Sequence, residues 1–391
     1  MKKSLIDRKM ADAIIESLNY LPVVTLTGPR QSGKTTLCRE LFPQLPYVNL
    51  EDVATLSEIQ TDTKAFLGKF PNGAIIDEAQ NYPELFSYLQ VSIDADRHDN
   101  RSRHYIVTGS NNFSLMEKIS QSMAGRTAVM TLLPLSIEEI LQDCQTASTS
   151  KMILNGGYPA IWKADEKGRR ILLSNYYTTY IERDVRKLIN IKDLRAFQTF
   201  IRLCAGRIGQ EFNASSLSIE VGVSVPTIKN WLSILAASYV VYQLFPYHTN
   251  IGKRLTKTPK LYFYDTGLAA FLLGILTEDQ LDTHPLRGNL FENMVVNEMI
   301  KQNTYNGKDE QFFFYRDKSQ REVDVLRICA NDIEAYEIKS SKTYSPTFFA
   351  NLNYLKTLLP EKITKTMVIY DGEQENFQPN NGICNFRHLN D

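Results

Sequence analysis

The segment GPRQSGKTT, residues 28–36, places two glycines, a lysine and two threonines at the spacing Gly-x-x-x-x-Gly-Lys-Thr. Glycines at these positions let backbone N–H groups curl around a phosphate, Lys34 can reach the terminal phosphate oxygens, and the Thr35 hydroxyl can bind Mg²⁺. The residues expected to contact the nucleotide are Gly28, Pro29, Arg30, Gln31, Ser32, Gly33, Lys34, Thr35 and Thr36. The spacing therefore predicts a site for ATP with Mg²⁺ as cofactor.

An acidic pair follows in GAIIDEAQ, where Asp77 and Glu78 end a short apolar run. Beside a phosphate-binding loop, Asp77 is expected to hold Mg²⁺ through water. Glu78 is expected to orient or deprotonate the water that attacks the terminal phosphate. The pair therefore predicts hydrolysis of the bound nucleotide.

Three more polar residues could contact the γ-phosphate. Ser110 and Asn111 end the run IVTGSNN, where they could sense hydrolysis or simply form a hydrogen-bonded turn. Arg126 follows a small-residue turn and could act as an arginine finger, in its own subunit or in a neighbour. A surface ion pair is the alternative for Arg126.

Four charged residues nearer the C-terminus could do a different chemistry. Asp324 lies in EVDVL, while Glu337 and Lys339 lie two residues apart in YEIKSS, and Glu292 lies on the apolar side of a predicted helix. Converging carboxylates repel by about 4 kcal/mol per pair at an effective dielectric constant near 20, so such a cluster needs a cation or a proton. Mg²⁺ on Glu292, Asp324 and Glu337 would let Lys339 activate a water for phosphodiester cleavage.

Short apolar runs must position these residues. PVVTLT, GAIID and RHYIVTG each predict a buried strand that ends beside a candidate nucleotide-site residue, which is typical of a parallel α/β sheet flanked by helices. Near the C-terminus the pattern predicts a helix, three strands and a helix. The fold class expected is α/β in both parts.

The region between the two candidate sites predicts helices over about 168–205, followed by two helices separated by Gly222 and then two strands. This is the order of a winged helix-turn-helix, with Thr227, Lys229 and Asn230 on the exposed face of its second helix. The loop between the strands would present basic residues to phosphate: Lys253, Arg254, Lys257 and Lys260. Contacts with a subunit or a protein partner are the alternative use of this surface.

Composition narrows the class of protein. The chain is 43% hydrophobic and 23% charged, and its zero net charge conceals a basic middle, residues 151–280, that can attract nucleic acid. No run approaches the ~18 apolar residues of a membrane helix, and the first residues lack the apolar core of a signal peptide. We therefore expect a cytoplasmic protein with no membrane partner, and its five scattered cysteines predict reduced thiols.

The order GPRQSGKTTL, NLED, IIDEAQ, IVTGSNN, AGR and LLPLSIEEI resembles AAA-type ATPases of bacteria and archaea that carry a C-terminal domain of poorly assigned function. The resemblance continues through GGYP, YIERDVRKL, TPKLYFYDTGL and LFENMVVNEM. It implies a P-loop (AAA+) ATPase domain at 1–150, a helical lid at 151–205, a winged helix-turn-helix at 206–280 and a nuclease-like domain at 281–391. Because arginine fingers often come from a neighbouring subunit, a homo-oligomer is expected.

The C-terminal pattern resembles the PD-(D/E)XK nuclease superfamily, with Asp324 as the D, Glu337 as the (D/E) and Lys339 as the K. Glu292 matches the acidic helical residue of that fold. The resemblance implies a restriction-endonuclease-like α/β domain. Two departures stand out: Val323 replaces the proline of the motif, and no Gln-x-x-x-Tyr follows.

Two functions stay open on the sequence. One is an ATPase that acts on DNA, with Mg²⁺-dependent cleavage by the C-terminal domain. The other is a nucleotide-gated switch or scaffold whose C-terminal domain is a noncatalytic binding module. Nucleic acid should stimulate ATP turnover in the first and leave it unchanged in the second. A small-molecule kinase would leave two domains unexplained.

Overall fold

A computed structural model describes residues 6–99, 101–110, 113–185, 193–248, 258–308 and 310–389. The chain forms two compact units. The first comprises Met1–Leu135, Ala237–Tyr239 and Thr304–Gly307, and the second comprises Ser136–Ala236, Val240–Asn303 and Lys308–Asp391. No described helix combines the length and the apolar composition that crossing a lipid bilayer requires.

The first unit is built on a five-stranded parallel sheet, which confirms the parallel α/β fold predicted for this part. Its strands are β1 (Val23–Thr27), β2 (Tyr47–Asn49), β3 (Ile75–Asp77), β4 (Tyr105–Thr108) and β5 (Thr127–Thr131), in the order β2-β3-β4-β1-β5. Its helices are α1 (Ala11–Ser17), α2 (Lys34–Leu41), α3 (Val53–Thr61), α4 (Thr63–Gly68), α5 (Leu85–His98) and α6 (Phe113–Ser122). Strands β1, β3 and β4 are buried along their whole length, as continuous apolar runs in a parallel sheet require.

The loop from β1 to α2 depends on two glycines. Gly28 has φ +132°, and a Cβ there would lie 2.4 Å from the carbonyl oxygen of Leu132. Gly33 has φ +97° and immediately precedes Lys34, the first residue of α2. Both backbone conformations favour glycine, so the glycine spacing in the sequence fixes the shape of the loop.

The second unit begins with a run of helices. They are α7 (Ile137–Asp143), α8 (Thr149–Asn155), α9 (Pro159–Trp162), α10 (Glu166–Tyr176), a π-helical segment (Tyr177–Val185) and α11 (Leu194–Ala205). A small antiparallel sheet with two helices follows: β6 (Gln210–Glu211), α12 (Ala214–Val221), α13 (Val225–Ala237), β7 (Val241–Leu244) and β8 (Lys260–Phe263). Gly222, with φ +77°, ends α12 and turns the chain into α13.

Two helices separated by Gly222 and then two strands occur in the predicted order, while the winged helix-turn-helix assignment stays a prediction. Of the four basic residues assigned to the loop between the strands, Lys260 does not lie in it. Lys253, Arg254 and Lys257 lie outside the described residues. Lys260 opens β8 and is buried, so its predicted place in an exposed loop is wrong. The strand begins at Lys260, which turns its side chain inward.

The C-terminal half of the second unit holds a five-stranded mixed sheet. The sheet strands are β9 (Gln311–Arg316), β10 (Glu322–Cys329), β11 (Asp332–Lys339), β12 (Ile363–Tyr370) and β13 (Gly382–Asn385). The helices of this half are α14 (Thr266–Leu272), α15 (Glu278–Asp282), α16 (Arg287–Tyr305) and α17 (Ala350–Leu358). The order is β13-β12-β11-β10-β9, antiparallel from β9 to β11 and parallel from β11 to β13. The predicted helix, three strands and helix are present, and β12 and β13 extend the sheet beyond them.

One apolar core runs through the second unit. It joins Phe200 of α11, Trp231 of α13, Leu261 of β8 and Phe291 of α16. The segments predicted as lid, winged helix and nuclease-like domain therefore share a core, while the division between units falls after Leu135. The boundaries at 150, 205 and 280 stay predictions.

Candidate functional site

The predicted nucleotide loop, residues 28–33, connects β1 to α2, and Lys34, Thr35 and Thr36 open α2. The Lys34 ammonium donates hydrogen bonds to the carbonyl oxygens of Gly28, at 3.1 Å, and Pro29, at 2.8 Å. Burial lowers the pKa of Lys34 to about 8. The buried Ser32 hydroxyl has no hydrogen-bond partner among the described residues. A phosphate in the loop would give this hydroxyl a partner, so the loop fits a nucleotide.

Asp77 ends β3 and receives hydrogen bonds from three hydroxyl groups. Its Oδ2 accepts from Thr35 Oγ1 at 2.7 Å and from the Tyr47 hydroxyl at 2.8 Å. Its Oδ1 accepts from the Thr108 hydroxyl and from the backbone N–H of Glu78. The structure thus brings together the two residues predicted to hold Mg²⁺, Thr35 and Asp77, and their oxygen donors fit that ion.

Glu78 is held in an unusual backbone conformation at the end of the same strand. Its φ is +58°, a left-handed conformation that costs a non-glycine residue about 1–3 kcal/mol. Its carboxylate accepts a hydrogen bond from the Gln80 side-chain amide, and burial raises its pKa. The Gln80 Oε1 in turn accepts from the backbone N–H of Ser110 at 3.2 Å. Gln80 therefore connects Glu78 to Ser110, while Asn111 lies outside the described residues.

Tyr47, Gln80 and Thr108 are not predicted from the sequence as site residues. Gln80 and Thr108 lie within the quoted runs GAIIDEAQ and RHYIVTG, so a signal was present. Tyr47 comes from β2, and nothing in its local sequence indicates that its hydroxyl reaches Asp77. Burial is the main cause that raises the pKa of the Tyr47 hydroxyl, and the hydrogen bond to Asp77 raises it further.

Arg126 forms a two-point ion pair with Asp94. Its Nε and Nη2 each donate at 2.8 Å to the two Asp94 oxygens, and its Nη1 donates to the Ala124 carbonyl oxygen. The hydrogen bonds from Arg126 lower the pKa of Asp94. The surface ion pair considered from the sequence is therefore formed. A finger role for Arg126, and the homo-oligomer it would need when it acts on a neighbour, stay predictions.

The second unit assembles the four predicted C-terminal residues with a fifth, Lys260, and we call these five residues the carboxylate–lysine cluster: Lys260, Glu292, Asp324, Glu337 and Lys339. Antiparallel pairing of Val325 with Tyr336 puts Asp324 and Glu337 side by side on β10 and β11. Asp324 Oδ2 accepts the backbone N–H of Ile338 at 2.7 Å.

Each glutamate of the cluster has a lysine. Lys339 Nζ lies 2.6 Å from Glu337 Oε1, while the buried Oε2 of Glu337 has no partner among the described residues. Glu292 Oε1 accepts from Lys260 Nζ at 3.0 Å and from the Tyr262 hydroxyl at 2.5 Å. Burial and the Asp324 charge raise the pKa of Glu292 to about 7 and that of Glu337 to about 8, against the opposing effect of the two lysines.

Lys260 is the most enclosed cation of the cluster, with a side chain 3% exposed. A second carboxylate, Glu322 Oε1, lies 2.6 Å from its Nζ. Burial alone would lower the pKa of Lys260, but the surrounding carboxylates, Glu292 first, raise it. The residue therefore carries its positive charge inside the fold.

These contacts bear on the predicted metal site. In the part of the chain that the structure describes, no three His, Cys, Asp or Glu side chains are arranged to hold a metal ion. Glu292, predicted as a ligand, binds Lys260 and Tyr262 instead. The residues present therefore do not fit a Mg²⁺ site with three carboxylates.

Comparisons with known proteins divide the chain in three. Residues 21–141 match the family model of the AAA domain, and residues 146–279 and 287–387 each match a model described as a domain of unknown function. An uncharacterised protein of Mycobacterium tuberculosis is 29% identical over 375 residues, covering 94% of this chain and 81% of the relative. An uncharacterised protein of Haemophilus influenzae is 25% identical over 309 residues, covering 68% of this chain and 75% of the relative.

Among solved structures, the Walker-type ATPase of Pyrococcus abyssi is similar over 70% of this chain and 97% of its own, with 16% identity and a TM-score of 0.45. The AAA family match covers the phosphate-binding loop, Asp77, Glu78 and Arg126. Residues 21–141 of this chain therefore match the AAA domain, which supports the AAA-type P-loop fold predicted for this part.

Proposed function

We propose that the chain binds ATP with Mg²⁺ at residues 28–36 and hydrolyses it. The observation that carries this proposal is the 2.7 Å hydrogen bond between the Thr35 hydroxyl and Asp77, which puts two oxygen donors beside the phosphate loop. Mg²⁺ bound there would neutralise charge on the β- and γ-phosphates. Lys34 binds the same phosphates, and Glu78 orients the attacking water and accepts its proton.

Steady-state ATP turnover tests this proposal. Lys34→Ala should lower turnover at least about 100-fold, because it removes the ammonium group that would bind the β- and γ-phosphates. The matched control is Lys64→Ala, an exposed lysine on α4 of the same unit, which should leave turnover unchanged. Full turnover in Lys34→Ala would overturn the proposal.

We further propose that the second unit binds DNA and that nucleotide controls this binding. The supporting observation is the order α12, Gly222 turn, α13, β7, β8, with Lys229 and Asn230 exposed on α13. A second helix that presents polar side chains in this order is typical of helix-turn-helix DNA binding. Lys229 would contact a phosphate.

Fluorescence anisotropy with duplex DNA at several salt concentrations tests the DNA proposal. Lys229→Ala should weaken binding to all DNA sequences equally. It should also reduce by about 1 the slope of the logarithm of the binding constant against the logarithm of the salt concentration. Lys318→Ala, an exposed lysine in the turn between β9 and β10, is the control. DNA should also stimulate ATP turnover. If turnover is indifferent to DNA and Lys229→Ala binds like the wild type, the switch or scaffold with a protein partner replaces this proposal.

The contacts of the carboxylate–lysine cluster favour a noncatalytic role for it, because its glutamates already bind ammonium groups. Metal-dependent DNA cleavage is the second candidate. The observation that favours cleavage is the buried Glu337 Oε2, which lacks a partner within the described part of the chain while Lys339 binds the other oxygen.

The noncatalytic role and the cleavage role are distinguished by incubating the protein with several DNA forms. Each form is tested with Mg²⁺ or Mn²⁺, and with or without ATP. Asp324→Ala is compared with wild type and with Asp332→Ala, an exposed aspartate of the same sheet. Equal behaviour of all three proteins supports the noncatalytic role. Cleavage that only Asp324→Ala loses would establish the second candidate.

A further inference from the structure

We infer that Lys260 is the resident cation of the carboxylate–lysine cluster and takes the place of a divalent metal ion at Glu292. Its ammonium lies 3.0 Å from Glu292 Oε1 and 2.6 Å from Glu322 Oε1. The side chain of Lys260 is 3% exposed, and its Nζ also lies 5.5 Å from the centre of the Phe314 ring. An ammonium so enclosed by carboxylates and an aromatic ring is held by the fold.

The strand geometry explains why Lys260 reaches this position. Lys260 and Tyr262 are two residues apart on β8, so their side chains project from the same face of the strand. Both donate to the same oxygen, Glu292 Oε1. The Lys-x-Tyr pair of β8 therefore covers the helical carboxylate with one charged and one neutral donor.

The charges around Lys260 support a cation at this place and oppose a second one. The acidic groups are Glu292, Glu322, Asp324 and Glu337, and the basic groups that face them are Lys260, Lys339 and Arg316. Arg316 also pairs with Glu211. A divalent ion at Glu292 would stand within a few ångströms of the Lys260 ammonium and would be repelled by it. Removal of the ammonium leaves the largely enclosed carboxylates of Glu292 and Glu322 without the cation that balances them.

This inference rests on the proposal that the cluster is noncatalytic, and it concerns neither ATP hydrolysis nor DNA binding. Its test therefore uses metal binding by the full-length, nucleotide-free protein. Titration with Mn²⁺, followed by the electron paramagnetic resonance signal of the free ion, counts the bound ions directly. A failure there is distinct from a loss of ATP turnover or of DNA affinity.

The variants are Lys260→Met, which removes the charge, and Lys260→Arg, which keeps it. Lys260→Met should bind one Mn²⁺ at least about tenfold more tightly than wild type, because the carboxylates lose their internal counter-ion. The double variant Lys260→Met/Asp324→Asn should lose that ion again, and Lys260→Arg should behave as wild type. Unchanged Mn²⁺ affinity in a folded Lys260→Met would overturn the inference.

A second comparison does not require Lys260→Met to fold. Wild type and Asp324→Asn should bind the same number of Mn²⁺ ions, since the inference leaves the wild-type cluster without one. If wild type binds an ion that Asp324→Asn loses, the inference fails. Mn²⁺ should also raise the melting temperature of Lys260→Met and leave that of wild type unchanged, and the opposite pattern would contradict it.

Discussion

Asp77 in the first unit is buried and Glu292 in the second is largely buried, with a side chain 14% exposed. Both carboxylates have more than one donor, but the donors differ in charge. Asp77 receives three neutral hydroxyl groups, from Thr35, Tyr47 and Thr108. Glu292 receives an ammonium group from Lys260 together with one hydroxyl. Hydroxyl donors orient a carboxylate without cancelling its charge, whereas an ammonium cancels it.

The difference teaches which acidic cluster can take a metal ion. A carboxylate oriented by hydroxyl groups still attracts a cation, and a hydroxyl oxygen can itself become a ligand. A carboxylate already paired with a lysine has to give up that pair first. The identity of the donors, more than the number of acidic residues, therefore separates the two sites.

The largest effect is expected from removing the lysine of the second site. Lys260→Met should lower the free energy of unfolding by about 3–5 kcal/mol, because it leaves Glu292 and Glu322, which are largely enclosed, without their buried counter-ion. Both tryptophans, Trp162 and Trp231, lie in the second unit, so urea unfolding followed by tryptophan fluorescence reports on this unit.

Two further variants make that measurement decisive. Lys318→Met removes an exposed lysine and should change stability little. Lys260→Met/Glu292→Gln removes both charges of the pair and should recover part of the loss. Equal stability of Lys260→Met and Lys318→Met would mean that the Lys260–Glu292 pair contributes nothing to the free energy of unfolding.

The next largest effect is expected from removing the negative charge of Asp77. Asp77→Asn keeps a side-chain oxygen that can accept hydrogen bonds from the hydroxyl groups, but it loses the negative charge. We expect ATP turnover to fall about 100-fold, equivalent to about 2.7 kcal/mol. Asp12→Asn, an exposed aspartate on α1, is the matched control. Turnover within threefold of wild type would show that the hydroxyl-bound carboxylate is not needed for its charge.

The local pattern of the sequence is enough to predict the first site. Gly28, Gly33, Lys34 and Asp77 are identified because a phosphate-binding loop is made by consecutive residues and by the end of a neighbouring strand. Asp324 and Glu337 are found side by side for a similar reason, since the strand pattern sets their faces.

Lys260 could not be placed in the same way. It lies in a run of basic residues, KRLTKTPK, whose composition indicates an exposed loop. The pairing of β8 with β7 and the contact with Glu292 show that the Lys260 side chain faces α16. Tyr47 on β2 reaches Asp77 on the neighbouring strand β3, and that contact depends on sheet order, which composition and periodicity leave open.

A smaller effect is expected from Gln80, the link between Glu78 and Ser110. Gln80→Ala removes both hydrogen bonds of the link, so Glu78 loses its orientation but keeps its charge. We expect about tenfold slower ATP turnover, or about 1.4 kcal/mol, with an unchanged KM for ATP. The control is Gln90→Ala on α5. Gln31→Ala is unsuitable because Gln31 lies in the phosphate loop. A raised KM with unchanged kcat would instead assign Gln80 to nucleotide binding.

The smallest effect is expected from Tyr47→Phe, which removes one neutral donor from Asp77 and leaves those of Thr35 and Thr108. A hydrogen bond of this kind contributes about 1 kcal/mol, and no charge changes. ATP turnover and the half-saturating Mg²⁺ concentration should each change no more than about fivefold. Tyr20→Phe is the control, because Tyr20 is 77% exposed in the same unit. A hundredfold loss would mean that a single hydroxyl matters to Asp77 as much as the Lys260 ammonium matters to Glu292, and the distinction between neutral and charged donors would then fail.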